Sequence, residues 1–185
     1  MKIFAVYTKV ELTKKPDWLN GFRSRFDEPY EYHVTLKLPC VIEDAKVPEI
    51  KAKLADFFSN LKIPNHKLTL TFNSLKVHRE SPEDICIMIN AERNEEIFNL
   101  QKNIFSILSD YKQYLKIKYK IYEENFSPHI TIGRNLDEQA YEKASLELKQ
   151  DYTCEGVITK VVLGVVNNNN VTEANDPNNQ TVYNL

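Results

Sequence analysis

Apolar and polar residues alternate over residues 2–8 (KIFAVYT), 33–38 (HVTLKL) and 67–77 (KLTLTFNSLKV), the period of strands with one buried face. Between the last two, Val47, Ile50, Leu54, Phe57 or Phe58, and Leu61 recur at helical spacing and predict a helix near 47–61. A shorter helix is expected over 17–26, just after Pro16. The second half repeats the order. Residues 85–91 read as a strand, Ile97, Leu100, Ile104, Leu108 and Tyr111 mark a helix face, and 116–122 and 129–132 read as strands. A helix over 137–149, an apolar strand over 157–166 and an edge segment at 181–185 follow. Asn167–Asn170 and the TEANDPNNQ after them read as a polar hairpin loop with no chemistry of its own.

Each half runs strand, helix, His-bearing strand, helix, strand. This duplicated order predicts an α+β fold: two antiparallel sheets facing each other across a central cleft, with helices on the outer faces. A single domain over 1–185 is expected, with pseudo-symmetric halves at about 1–80 and 81–185.

One residue pattern is repeated along with the elements. His33-Val34-Thr35-Leu36 and His129-Ile130-Thr131-Ile132 both read His, apolar, Thr, apolar, and lie 96 residues apart (129 − 33). On a strand, alternate side chains share a face. Val34, Leu36 and Leu38 are then expected in the core, with His33, Thr35 and Lys37 on the opposite face; Ile130 and Ile132 go inward while His129 and Thr131 point out. If the halves pack about a pseudo-two-fold axis, two imidazoles and two hydroxyls converge on one cleft. A lone H-x-T carries little information, but two copies at equivalent places do.

Two convergent imidazoles suit phosphodiester chemistry. Opening a ribose 2′,3′-cyclic phosphate needs a base for water and an acid for the departing ribose oxygen, and histidine titrates near pH 6.5. The threonine hydroxyls can donate to non-bridging phosphate oxygens. The scheme needs no metal or cofactor, and no H-E-x-x-H or clustered carboxylate pattern is present. By contrast, His66 is followed by Lys-Leu-Thr and His78 sits in a charged HRE stretch; both read as surface residues.

Composition narrows the substrate. With 24 basic against 26 acidic residues the net charge is −2, so the basic surplus that long nucleic-acid tracts demand is missing. A small or end-bound substrate fits better. Three scattered cysteines, Cys40, Cys86 and Cys154, read as reduced thiols. No leader-like segment or long apolar run appears, so a cytoplasmic, non-membrane, monomeric protein is expected.

On these motifs the sequence resembles the 2H phosphoesterase superfamily, especially its 2′-5′ RNA ligase-like (LigT-like), cyclic phosphodiesterase branch. The most specific segment is Phe126-Ser127-Pro128-His129-Ile130-Thr131-Ile132-Gly133-Arg134, and HVTLK is the partner motif. The resemblance implies that His33 and His129 are the catalytic pair, that Thr35 and Thr131 hold phosphate, and that Arg134 is a phosphate contact. Lys37 is expected to add positive potential. Arg134 has the alternative of a structural salt bridge, and Lys37 that of a solvated lysine. The branch often carries an aromatic five positions after the first histidine; here that position is Leu38, which leaves Tyr30, Tyr32, Tyr122 and Phe126 as stacking candidates. The implied activity is hydrolysis of 2′,3′-cyclic phosphates or 2′-5′ linkages on nucleotides or RNA ends. Ligation of a 2′,3′-cyclic phosphate to a 5′-hydroxyl is the reverse reading, and a non-catalytic RNA-end binding module is the reading from another class. Lys116, Lys118 and Lys120 either guide RNA to the cleft or protect an edge strand.

Overall fold

The computed structural model describes residues 1–63 and 66–185. The chain runs β1 (Lys2–Lys14), α1 (Trp18–Phe26), β2 (His33–Ile42), α2 (Val47–Asn60), β3 (Leu68–Ser81), β4 (Asp84–Ala91), α3 (Glu95–Ile107), α4 (Tyr119–Glu124), β5 (His129–Leu136), α5 (Glu138–Glu147), β6 (Cys154–Val166), α6 (Val171–Asn175) and β7 (Gln180–Asn184). The four longer helices fall where the sequence predicts helices. Two start on side-chain caps: Asn94 accepts from the Ile97 amide and Asp137 from the Ala140 amide. The stripe Ile50, Leu54 and Phe58 of α2 is buried, as are Ile97, Leu100 and Ile104 of α3.

The expected pair of facing sheets is corrected to one seven-stranded sheet, ordered β2-β1-β6-β3-β4-β5, with β7 also on β6. All its pairings are antiparallel. The reason is strand length. Residues 68–72 at the start of β3 pair with 154–158 at the start of β6, while the rest of β3 pairs with β4 and β6 also runs along β1. What the alternation reads as two sheets is therefore joined by a continuous ladder. At the junction Gly156 faces Leu12 on one side and Leu70 on the other. A Cβ there would stand 2.5 Å from Val10 Cγ1, so only glycine lets β6 approach β1 this closely.

The sheet brings its two end strands together: β2 and β5 are in contact. The helices cross between halves. Helix α1, from the first half, packs on β5, and α3, from the second, packs on β2.

The strand expected over 116–122 is also corrected. Its polar and apolar residues alternate, but Ile117 is 94% exposed and the segment ends in helix α4. The deciding residue is Glu123, whose buried carboxylate takes the Leu38 amide at 2.9 Å, the Lys37 ammonium at 2.6 Å and the Tyr114 hydroxyl. These bonds fasten the helix to β2. Among the described residues no helix is long and apolar enough to cross a membrane.

Candidate active site

Both histidines sit at the first residue of a strand, and the two surroundings match in detail. His33 faces Lys9 across the β1–β2 ladder, and His129 faces Asn90 across β4–β5. One step on, Thr35 faces Tyr7 and Thr131 faces Met88. Each strand then bulges: Val6 faces Lys37 and Ile87 faces Gly133, so Leu36 and Ile132 are the extra residues. A second irregularity follows in each, before Cys40 in β2 and before Leu136 in β5. In β5 this stretch holds Asn135 at φ 51, a left-handed position that asparagine tolerates.

Each imidazole is held by the same bond. His33 Nδ1 lies 2.8 Å from the Glu31 carbonyl and His129 Nδ1 lies 2.8 Å from the Ser127 carbonyl. A carbonyl only accepts, so Nδ1 carries its proton in both rings and Nε2 is the nitrogen left to exchange one. Side chains brace the two carbonyl-bearing residues: Lys9 pairs with Glu31 at 2.6 Å, and Asn90 Nδ2 donates to Ser127 Oγ at 2.6 Å. Asn90 is 6% exposed, and its Oδ1 has no partner.

A cavity of about 630 Å³ opens beside them, lined by Thr35, His129, Thr131, Arg134 and Tyr30 among others. His33 is not among the lining residues, but it lies edge-on to Tyr30, which is, and to Tyr7. Burial pushes the His33 pKa down to about 4, against the opposing pull of the Glu31 carbonyl; the charges of Arg134, His129 and Arg23 push the same way as burial. His129 is lowered too, first by burial, then by Arg134, His78 and Lys76, with the Ser127 carbonyl opposing. The two imidazoles and Arg134 thus share one electrostatic field.

Arg134 reaches the cavity wall with Nε 3.4 Å from Asp27 Oδ1 and its guanidinium 4.5 Å from the Tyr30 ring centre. Asp27 is itself fixed by Arg23 at 2.8 Å, and its carboxylate is fully buried. The salt bridge and the cavity position occur together, because the pairing uses the Nε edge and leaves the terminal nitrogens.

Lys37 departs from its expected place. The bulge at Leu36 breaks the alternation that put it on the His33 face, and Lys37 is 1% exposed, paired to Glu123 and lying 4.4 Å from the Tyr114 ring centre. It does not line the cavity. Of the stacking candidates, Tyr30, Tyr122 and Phe126 line the cavity, Phe126 also packing on Phe98. Tyr32 instead lies under Arg23 at 4.1 Å. His66 bonds the Leu185 carbonyl at 3.0 Å, away from this wall. His78, read as a surface residue, faces the cavity with Lys76, and its Nε2 lies 3.0 Å from the Tyr122 hydroxyl. The signal was there: Lys76, His78 and Glu80 alternate along β3. Asn169–Val171 of the polar loop, given no chemistry in the sequence reading, also line the cavity. No group of three or more His, Cys, Asp or Glu side chains among the described residues is arranged to hold a metal ion.

Comparison with known proteins identifies the family and the fold. Residues 17–170 match the family described as the 2′-5′ RNA ligase superfamily. A provisionally named phosphoesterase of Geobacillus sp. (strain WCH70) is 32% identical over 129 residues, which are 68% of this chain and 65% of the relative. The match thus spans just under two thirds of that relative's length. Among solved structures, Usb1 of Kluyveromyces marxianus superposes with a TM-score of 0.57 at 9% identity, over 99% of this chain and 98% of that one. LigT of E. coli, complexed with phosphate, gives 0.52 at 12% identity over 100% and 96%. At these identities the structural likeness concerns the fold alone.

Proposed function

Because the chain belongs to the 2′-5′ RNA ligase superfamily, we propose that it is a phosphoesterase acting on 2′,3′-cyclic phosphates or 2′-5′ phosphodiester linkages of nucleotides or RNA ends. The observation that carries this reading is the matched pair of imidazoles, each with Nδ1 tied at 2.8 Å to the carbonyl two residues earlier. Related proteins of the same fold are solved with uridine monophosphate and with 3′-AMP, which supports a nucleotide as the ligand.

In the proposed reaction one Nε2 takes a proton from water as its oxygen attacks phosphorus. The other imidazole, protonated, gives its proton to the ribose oxygen as the phosphorus–oxygen bond breaks. One water is consumed, and a phosphomonoester and a free hydroxyl result. Thr35 and Thr131 donate to the non-bridging oxygens, and the free edge of Arg134 offsets the charge that builds there. No step needs a metal or a cofactor.

The test is product analysis with 2′,3′-cyclic nucleotides and a 2′-5′-linked dinucleotide in EDTA. Turnover by the wild type, lost in His33→Ala and in His129→Ala, is the expected result. Turnover unchanged in either variant overturns the assignment of that histidine, and no turnover of either substrate class overturns the proposed activity.

A further inference from the structure

Lys76 belongs to a row of side chains that runs across three strands. It faces Met88 in the β3–β4 ladder, and Met88 faces Thr131 in the β4–β5 ladder. All three line the cavity. Neighbouring strands lie about 4.8 Å apart, so the Lys76 backbone is roughly 9.6 Å from that of Thr131. A lysine stem bridges part of this distance. That reach is enough to bring the ammonium to a phosphate neighbouring the one that Thr131 would hold.

Its charge is also uncommitted. Among the described residues Lys76 has no carboxylate within ion-pair distance, whereas the other two cations of the lining do: Arg134 has Asp27 at 3.4 Å and Lys116 has Asp84 at 3.8 Å. The cavity's own carboxylates are engaged elsewhere. Glu123 holds Lys37, Glu80 holds Lys118, and Glu28 accepts from Asn135 at 3.0 Å. His78, next on the same face of β3, pairs with Tyr122, and both line the cavity.

Resting on the phosphoesterase reading above, we infer that Lys76 forms a second phosphate subsite, holding the phosphate adjacent to the one that reacts. The substrate class is then an oligonucleotide end, not a free cyclic mononucleotide. The row from Thr131 through Met88 to Lys76 sets the direction in which the strand leaves the reacting centre.

The experiment compares wild type and Lys76→Ala on 2′,3′-cyclic UMP and on a trinucleotide ending in a 2′,3′-cyclic phosphate, together with binding of the same trinucleotide ending in a 3′-phosphate. The ratio of trinucleotide to mononucleotide kcat/KM is expected to fall about fivefold in the variant. The slope of log affinity against log salt is expected to become shallower by about 0.7, the value for one phosphate contact to a single strand. Lys76→Arg restores both. An unchanged ratio with an unchanged salt slope overturns the subsite. If neither protein turns over either substrate but the salt slope still falls, the activity is wrong and the subsite stands.

Discussion

The two histidine strands are alike in register, in the bulge and in the carbonyl that holds each imidazole, and unlike in what each does with its cation. Asp27 lies six residues before His33 and Glu123 six before His129, and both carboxylates are buried. Each reaches across to the strand of the other half. Asp27 meets Arg134 of β5, while Glu123 takes Lys37 and the Leu38 amide of β2. The outcomes differ. Glu123 draws Lys37 into the core at 1% exposure, whereas Asp27 leaves Arg134 21% exposed on the cavity wall. At the position of Lys37, β5 has Gly133; at the position of Arg134, β2 has Leu38. One half therefore uses its cation to fasten α4 to the sheet, and the other leaves its cation on the cavity wall. On the proposed reading, the same fold element serves stability on one side and recognition on the other.

The largest expected effect breaks this division at its recognition end. Arg134→Gln should lower kcat/KM by about a hundredfold, on the scale of losing a donor aimed at developing charge. The Arg134 charge lowers both histidines, so its removal should also move the acidic limb of the pH profile upward. A profile that keeps its position separates Arg134 from the histidine pair.

At the stability end, Lys37→Ala leaves the Glu123 carboxylate buried without its partner and should cost about 3–5 kcal/mol of folding stability. Denaturant unfolding reads this directly. Lys37→Met with Glu123→Leu, which removes both charges, should recover most of it. A Lys37→Ala variant that unfolds like the wild type but loses affinity for phosphate would reverse the roles assigned to the two cations.

Smaller effects sharpen the comparison at the histidines themselves. Asn90→Ala frees the Ser127 hydroxyl and Lys9→Ala frees the Glu31 carboxylate, so each should loosen one imidazole only. About a tenfold loss of kcat/KM is expected from misplacing either ring. Nitrogen chemical shifts should change at His129 alone in the first variant and at His33 alone in the second. Shifts at both rings in either variant would mean the two braces are not independent.

The pH dependence of stability reports on the burial of His33. The unfolded His33 titrates near 6.5, and its folded pKa is pushed down to about 4. The unfolded chain then binds the proton more tightly, so stability should fall as pH drops from about 6.5 to about 4. His33→Gln should flatten that part of the curve; an unchanged curve would mean the imidazole is not held neutral by the fold. The same lowering places the activity maximum below pH 6.5, because the imidazole that donates must still be protonated.

What could be read from the sequence was what local period encodes. The H-x-T strands, the four longer helices and the apolar faces each repeat within a few residues, so alternation and helical spacing reveal them. What could not be read depends on partners far along the chain. The Lys37 misplacement comes from the bulge at Leu36, which shifts the alternation without leaving a mark in HVTLKL. The strand expected over 116–122 gave way because Glu123 finds its three donors on β2 and at Tyr114. The single sheet follows from β3 and β6 pairing through their first five residues, 68–72 with 154–158, a contact between segments more than eighty residues apart. His78 was visible in the Lys76-His78-Glu80 alternation; what was missing was the cavity that gives that face its meaning.

Whether His33 and His129 act as one acid/base unit on one phosphodiester is read from steady-state kcat/KM of wild type, His33→Ala, His129→Ala and the double variant. Groups that act as a unit are strongly non-additive, so each single variant should lose nearly all activity and the double variant should lose little more. A double variant whose loss is the product of two moderate single losses would contradict a single unit and make the two imidazoles independent contributors.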